Sequence, residues 1–152
     1  MASVVPTIGR ILVATDYTPN SERALAWALF YAQTFRAELI VLHVVEKGVH
    51  FAAFGYAESP GRAELVGERR ALECLLERHR VDGTITARSL VEIGEPAVKI
   101  REVAKRECVD LVILGTHGKN TIEDLLFSSV ATKTIHHSGC PVLAVPPPVL
   151  ES

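Results

Sequence analysis

The chain has 152 residues, 48% hydrophobic and 22% charged, which suits a folded domain with a core of its own. Its formal net charge is −2 and it carries no basic stripe, which argues against nucleic acid as an electrostatic partner. No stretch is long and apolar enough to span a bilayer, and the start, MASVVPTIGR, has no basic n-region followed by an apolar h-region, so membrane and export roles are not signalled.

Arg10 to Thr15 is a short apolar run with β-branched residues, bounded by the turn-like Asp16-Tyr17-Thr18-Pro19, and reads as a strand. Thr18 as N-cap and Pro19 at the first helical position then open a helix carrying Ala24, Leu25, Ala28, Leu29, Ala32 and Phe35 at helical spacing. Glu38 to Val45, ELIVLHVV, is a second strand, apolar almost throughout, as in a parallel sheet covered on both faces. Glu46 to Gly61 reads as a long loop broken by Gly48, Gly55, Pro60 and Gly61. A helix resumes near Arg62, with Leu65, Leu72, Leu75 and Leu76 on one side. The basic clusters Arg69-Arg70 and Arg78-His79-Arg80 lie among glutamates and read as its solvated face.

Thr84 to Val91 is the expected third strand. Gly94-Glu95-Pro96 opens a helix with Ala97, Ile100, Ala104 and Cys108 inward. Asp110 to Gly115 is the fourth strand and Pro141 to Val145 the fifth, with a helix beginning at Ser128 or Ser129 and a short helical turn at Ile122 to Leu126 before it. Strands alternating with helices imply βαβ crossovers: an α/β fold with an open five-stranded parallel sheet and helices on both faces. The whole chain, 1–152, is expected to be one domain with a loose tail from Pro146 to Ser152. Cys74, Cys108 and Cys140 form no CxxC and fit reduced thiols in the cytoplasm, and the spacing of His136, His137 and Cys140 matches no standard zinc pattern.

In such a sheet, ligands bind beyond the carboxyl ends of strands where strand order reverses. Two strand ends carry the residues for it: Ala14-Thr15-Asp16 and Gly115-Thr116-His117-Gly118. Asp16 either accepts from an adenine amino group or a sugar hydroxyl, or caps the turn before the first helix. Gly115 and Gly118 permit positive φ and close approach of a phosphate. Lys119 adds a charge within reach, and a helix start at Ser128 and Ser129 offers N–H groups and hydroxyls to an anion.

With these residues in view, the chain resembles the universal stress protein family over nearly its full length: ILVATDYTPNSERAL, LHVVE, IGEPAVKI and VDLVILGTHGKN…FSSVATKTIHHSGCPVLAVP. The nucleotide-binding branch carries G-x2-G-x9-G-[ST]. Gly115, Gly118 and Ser129 match it, and Ser128 stands at the third glycine. If that position needs a left-handed backbone, serine costs roughly 1–2 kcal/mol. If it is a helix N-cap, serine suits it. The resemblance implies that Ala14, Thr15, Asp16 and Val44 line the adenine and ribose side. It implies that Gly115, Thr116, His117, Gly118, Ser128, Ser129 and Val130 hold ribose and phosphates. ATP with Mg²⁺ is the expected ligand. A homodimer through Val142, Leu143, Ala144 and Val145 is the expected assembly.

The leading expectation is an ATP-binding regulatory homodimer of the stress response, without catalytic residues and with slow ATP hydrolysis at most. A second is a stress-family dimer that has lost nucleotide binding and serves as an interaction scaffold. A third is an adenylating or pyrophosphate-releasing enzyme, but Asp16 to Ser21 holds no glycine/serine-rich phosphate loop. Glu123 and Asp124 could assist water attack on a γ-phosphate, or merely favour a helix start.

Overall fold

Arg10–Thr15 forms β1, and the strands Glu38–Val45 (β2) and Leu111–Gly115 (β4) pair with it on either side, both parallel. Ala87–Ile93 (β3) pairs with β2, and Val142–Val145 (β5) with β4, again parallel. The sheet order is β3-β2-β1-β4-β5, so the strand order reverses between β1 and β4. The structure is a computed structural model and describes residues 4–46, 61–79, 83–118 and 127–149. The expected turn at Ile122 to Leu126, most of the loop after Glu46, Lys119, Glu123, Asp124 and the last three residues lie outside that range.

The central strands are apolar at successive positions because both faces are covered. Ile11, Val13, Leu39, Val41, Leu111 and Ile113 face α1 (Pro19–Phe35) and α2 (Arg62–Arg78). Leu12, Ile40, Leu42, Val112 and Leu114 face α3 (Pro96–Arg106) and α4 (Ser129–His137). On α1, Ala24, Ala28 and Ala32 are fully or almost fully buried, so the helix backbone lies close to the sheet. Thr18 caps its start, its hydroxyl accepting from the Ser21 N–H, with Pro19 next, as the sequence predicts. Arg36, in the left-handed region at φ 53°, ends it.

Two elements differ from the sequence reading. β3 runs Ala87–Ile93, later than Thr84 to Val91, because its register is set by pairing with Leu39–Val45 of β2. As an edge strand it carries charge: Arg88 reaches Glu38 at 2.6 Å and also Glu107, tying β3 to β2 and to the end of α3. Cys108 is exposed rather than inward, because α3 stops at Arg106 and Cys108 turns the chain at φ 51°. Val103 takes the interior place, fully buried.

Candidate functional site

The crevice at the switch point is built from two turns and a helix start. The first turn follows β1. Asp16 accepts from the Thr18 N–H at 3.1 Å and from the Thr18 hydroxyl, both through Oδ1. That carboxylate therefore orders the entry to α1, which was one of its two expected roles. Its other oxygen, Oδ2, lies where a Cβ on Gly118 would come within 2.8 Å. Asp16 thus bridges the turn after β1 and the turn after β4. Thr15 is buried, its hydroxyl engaged by the Tyr17 N–H and by Ser21 Oγ, each at 3.1 Å. Its side chain faces the fold.

The second turn follows β4. The Thr116 N–H donates to the Val145 carbonyl at 2.9 Å, and the Thr116 carbonyl accepts from the Ser128 N–H at 2.6 Å. The Thr116 hydroxyl meets His117 Nδ1 at 2.7 Å. The His117 N–H donates to Asn20 Oδ1 at 2.8 Å. Ser128 is the N-cap of α4, with φ −65° and ψ 160°, and its hydroxyl accepts from the Ala131 N–H. That backbone is extended and needs no glycine, so of the two alternatives for Ser128 the cap holds. Among the described residues, nothing accepts from the Ser129 and Val130 N–H groups, the orphan donors that begin a helix.

One of the two reasons expected for the motif glycines, a positive φ, does not hold. Neither has a positive φ; among the described residues Gly94 and Gly139 do. What they lack is room. A Cβ on Gly115 would lie 2.8 Å from Asn20 Oδ1 and 3.0 Å from its Cγ, and one on Gly118 would strike Asp16. Each glycine admits a polar side chain from the β1–α1 segment.

Ala14, Val44 and Val130 are half-buried members of one apolar layer, on the α3–α4 side of the sheet. They come from β1, β2 and the first turn of α4, so Ala14 and Val44, expected on the adenine and ribose side, share a layer with Val130, expected on the ribose and phosphate side.

Two features escaped the sequence reading. Asn20, 7% exposed, links the turn after β4 to β5. The available signal was its place on the Asn20-Ala24-Ala28 stripe, which buries. The other is a polar cluster behind the first turn. Tyr17, at φ 64°, lays its ring 4.6 Å from the His43 ring. Its hydroxyl reaches the Glu68 carbonyl at 3.4 Å and the carboxylate at 3.5 Å. His43 meets the Thr15 carbonyl through Nδ1 at 2.8 Å and Glu68 through Nε2 at 3.4 Å. Burial, reinforced by the Glu68 carboxylate, holds the Tyr17 phenol protonated well above its ordinary range. This cluster pins α2 to the turn that carries Asp16. Its signal was a histidine interrupting the apolar run of β2.

Among the described residues no three His, Cys, Asp or Glu side chains converge on a point that could hold a metal ion, and no helix is long and apolar enough to cross a membrane.

A parallel sheet ordered 3-2-1-4-5 with a crevice between β1 and β4 places the molecule among doubly wound α/β proteins. The chain belongs to the universal stress protein family, whose model matches residues 7–146. It is 31% identical over 148 residues to the universal stress protein MJ0531 of Methanocaldococcus jannaschii, covering 93% of this chain and 84% of that one. Among solved structures it superposes with a TM-score of 0.78 on protein MJ0577 of the same organism, at 26% identity over 95% of this chain and all of that one. It also shares its fold with a universal stress protein solved in complex with cAMP, at a TM-score of 0.72, 23% identity and coverage of 92% and 98%. The Archaeoglobus fulgidus family member in complex with dAMP gives 0.66 at 18% identity, with coverage of 91% and 97%.

Proposed function

We propose that this protein binds an adenine nucleotide, ATP with Mg²⁺, and acts as a homodimeric regulator in the stress response. The observation that carries the reading is the helix start at the switch point. The Ser129 and Val130 N–H groups have no acceptor among the described residues, and they adjoin the turn at Gly115 to Gly118. In this reading the triphosphate lies along Gly115, Thr116, His117 and Gly118 and meets Ser128, Ser129 and Val130. The base lies toward Ala14, Asp16 and Val44, with the Thr15 backbone beside it. Mg²⁺ would take its ligands mainly from phosphate oxygens and water. The cAMP and dAMP held by two relatives of the same fold support an adenine ligand. The output is a nucleotide-dependent conformation, in the cytoplasm, with no turnover required.

β5 is an edge strand, and the dimer would form there by antiparallel pairing of Val142, Leu143, Ala144 and Val145 across a two-fold axis.

One observation favours the scaffold reading instead: both motif glycines already accommodate side chains of the protein itself, Asn20 and Asp16. Native mass spectrometry of the purified protein, followed by titration calorimetry with Mg-ATP, separates the two. An adenine nucleotide on the dimer mass, with saturable binding, is expected. A ligand-free dimer that takes up no ATP would favour the scaffold.

A further inference from the structure

Asn20 stands in the first turn of α1, and its partners lie at the far end of the chain. Its Nδ2 donates to the Val145 carbonyl at 3.0 Å, and its Oδ1 accepts from the His117 N–H at 2.8 Å. A carbonyl can only accept and an N–H can only donate, so the two partners fix which way the amide points. Aspartate would keep the acceptor and lose the donor. Leucine would lose both. Gly115 leaves the space that the amide occupies.

This one side chain meets both the turn beyond β4 and the end of β5. The Val145 carbonyl accepts from both Asn20 and the Thr116 N–H. The successive N–H groups of Thr116 and His117 are therefore turned inward, onto Val145 and Asn20. The Thr116 carbonyl then holds the Ser128 N–H, which fixes where α4 begins. From Asn20 the constraint runs through His117 and Thr116 to the orphan donors of Ser129 and Val130.

We propose that Asn20 is the positioning residue of the phosphate subsite: its amide aligns the Gly115–Gly118 turn and the α4 N-terminus from the end of β5. The inference rests on the adenine-nucleotide reading above. Asn20 acts through the His117 N–H, in the turn expected to meet phosphate, so its loss discriminates between parts of one ligand.

The test compares Mg-ATP, by calorimetry, with adenosine, by ligand-observed NMR, on wild type and Asn20→Ala. Asn20→Ala is expected to weaken Mg-ATP about tenfold, because the turn at His117 loses the acceptor that aligns it, and to keep adenosine within about twofold. A merely structural role would weaken both alike, and that result, or unchanged ATP affinity, overturns the assignment. Wild type that binds neither ligand overturns the nucleotide reading itself, and the role of Asn20 with it; that failure shows in the wild-type arm alone. Should Asn20→Ala not fold, Gly115→Ala reaches the same amide from the other side, its methyl displacing Oδ1 and Cγ. The same split between ATP and adenosine is expected there, and its absence would overturn the proposal.

Discussion

The Thr116 carbonyl and the Ser128 N–H are joined at 2.6 Å, so the end of β4 and the start of α4 meet at one corner. Ser128 closes that corner with its own hydroxyl, which accepts from the Ala131 N–H at 3.1 Å. Ser128→Gly keeps an extended backbone that glycine adopts and is expected to lower stability by only a few tenths of a kcal/mol. Mg-ATP affinity should be unchanged or tighter, since clearance grows. Ser128→Ala removes the cap acceptor and should cost about 1 kcal/mol in urea unfolding. A large drop in ATP affinity in Ser128→Gly would show instead that the hydroxyl itself is a ligand.

Gly118→Val should abolish Mg-ATP binding. Its Cβ would come within 2.8 Å of Asp16 Oδ2, and Asp16 is held through Oδ1 by Thr18 and cannot swing aside cheaply. The added side chain therefore pushes the turn outward into the space a phosphate would need. Calorimetry that returns wild-type affinity for this variant would remove the turn from the binding site.

Much of this was legible in the residues. β1, α1 with its Thr18 cap, and β2 fall where periodicity and capping put them, because each is dictated locally. Asp16, Gly115, Gly118 and Ser128 gather at one crevice, as strand-end reasoning expects. β3 was misplaced because an edge strand takes its register from its neighbour, and the charges of Arg88 and Glu92 hide its alternation. The purpose of the glycines was illegible for a related reason. Gly115 answers to Asn20 and Gly118 to Asp16, partners that only the folded sheet brings near. A glycine that makes room for a distant side chain looks, in sequence, like a glycine that makes a turn.

Acid should loosen the fold at the end of the sheet opposite the crevice. Hydrogen bonding from Arg88 is the main force holding the Glu38 and Glu107 carboxyls below their ordinary range. A depressed folded-state pKa contributes stability above the unfolded value, and that stability is lost as pH falls through the folded one. The loss therefore begins near the ordinary carboxyl value of 4.5 and continues below it. Arg88→Met should flatten this acid limb without removing it, because Arg10 still reaches Glu38 and Arg106 still reaches Glu107. Thermal unfolding of both proteins from neutral pH down to about pH 3 checks this against the carboxyl titration range. Parallel acid limbs would mean that Arg88 does not govern these carboxylates.

The proposed dimer can be tested at the backbone. The Pro141 carbonyl accepts from Val112 and the Val145 carbonyl from Thr116, so these ends of β5 face β4. With a strand period of two, the N–H and C=O groups of Val142 and Ala144 point out from the sheet edge. Leu143 is a poor place for a probe, because its side chain packs against the layer under α1 and a charge there would disturb the core as well. Ala144→Pro instead deletes one outward N–H and leaves the bonds to β4 in place, and an edge strand tolerates proline. In a two-fold pair each copy would lose that donor, so the variant should sediment as a monomer at concentrations where wild type is dimeric, with its helical circular dichroism retained. An unchanged dimer would exclude outward pairing of β5 as the main contact. A monomeric variant that still binds Mg-ATP would show that the nucleotide crevice, built from β1, β4 and α4, is complete within one chain.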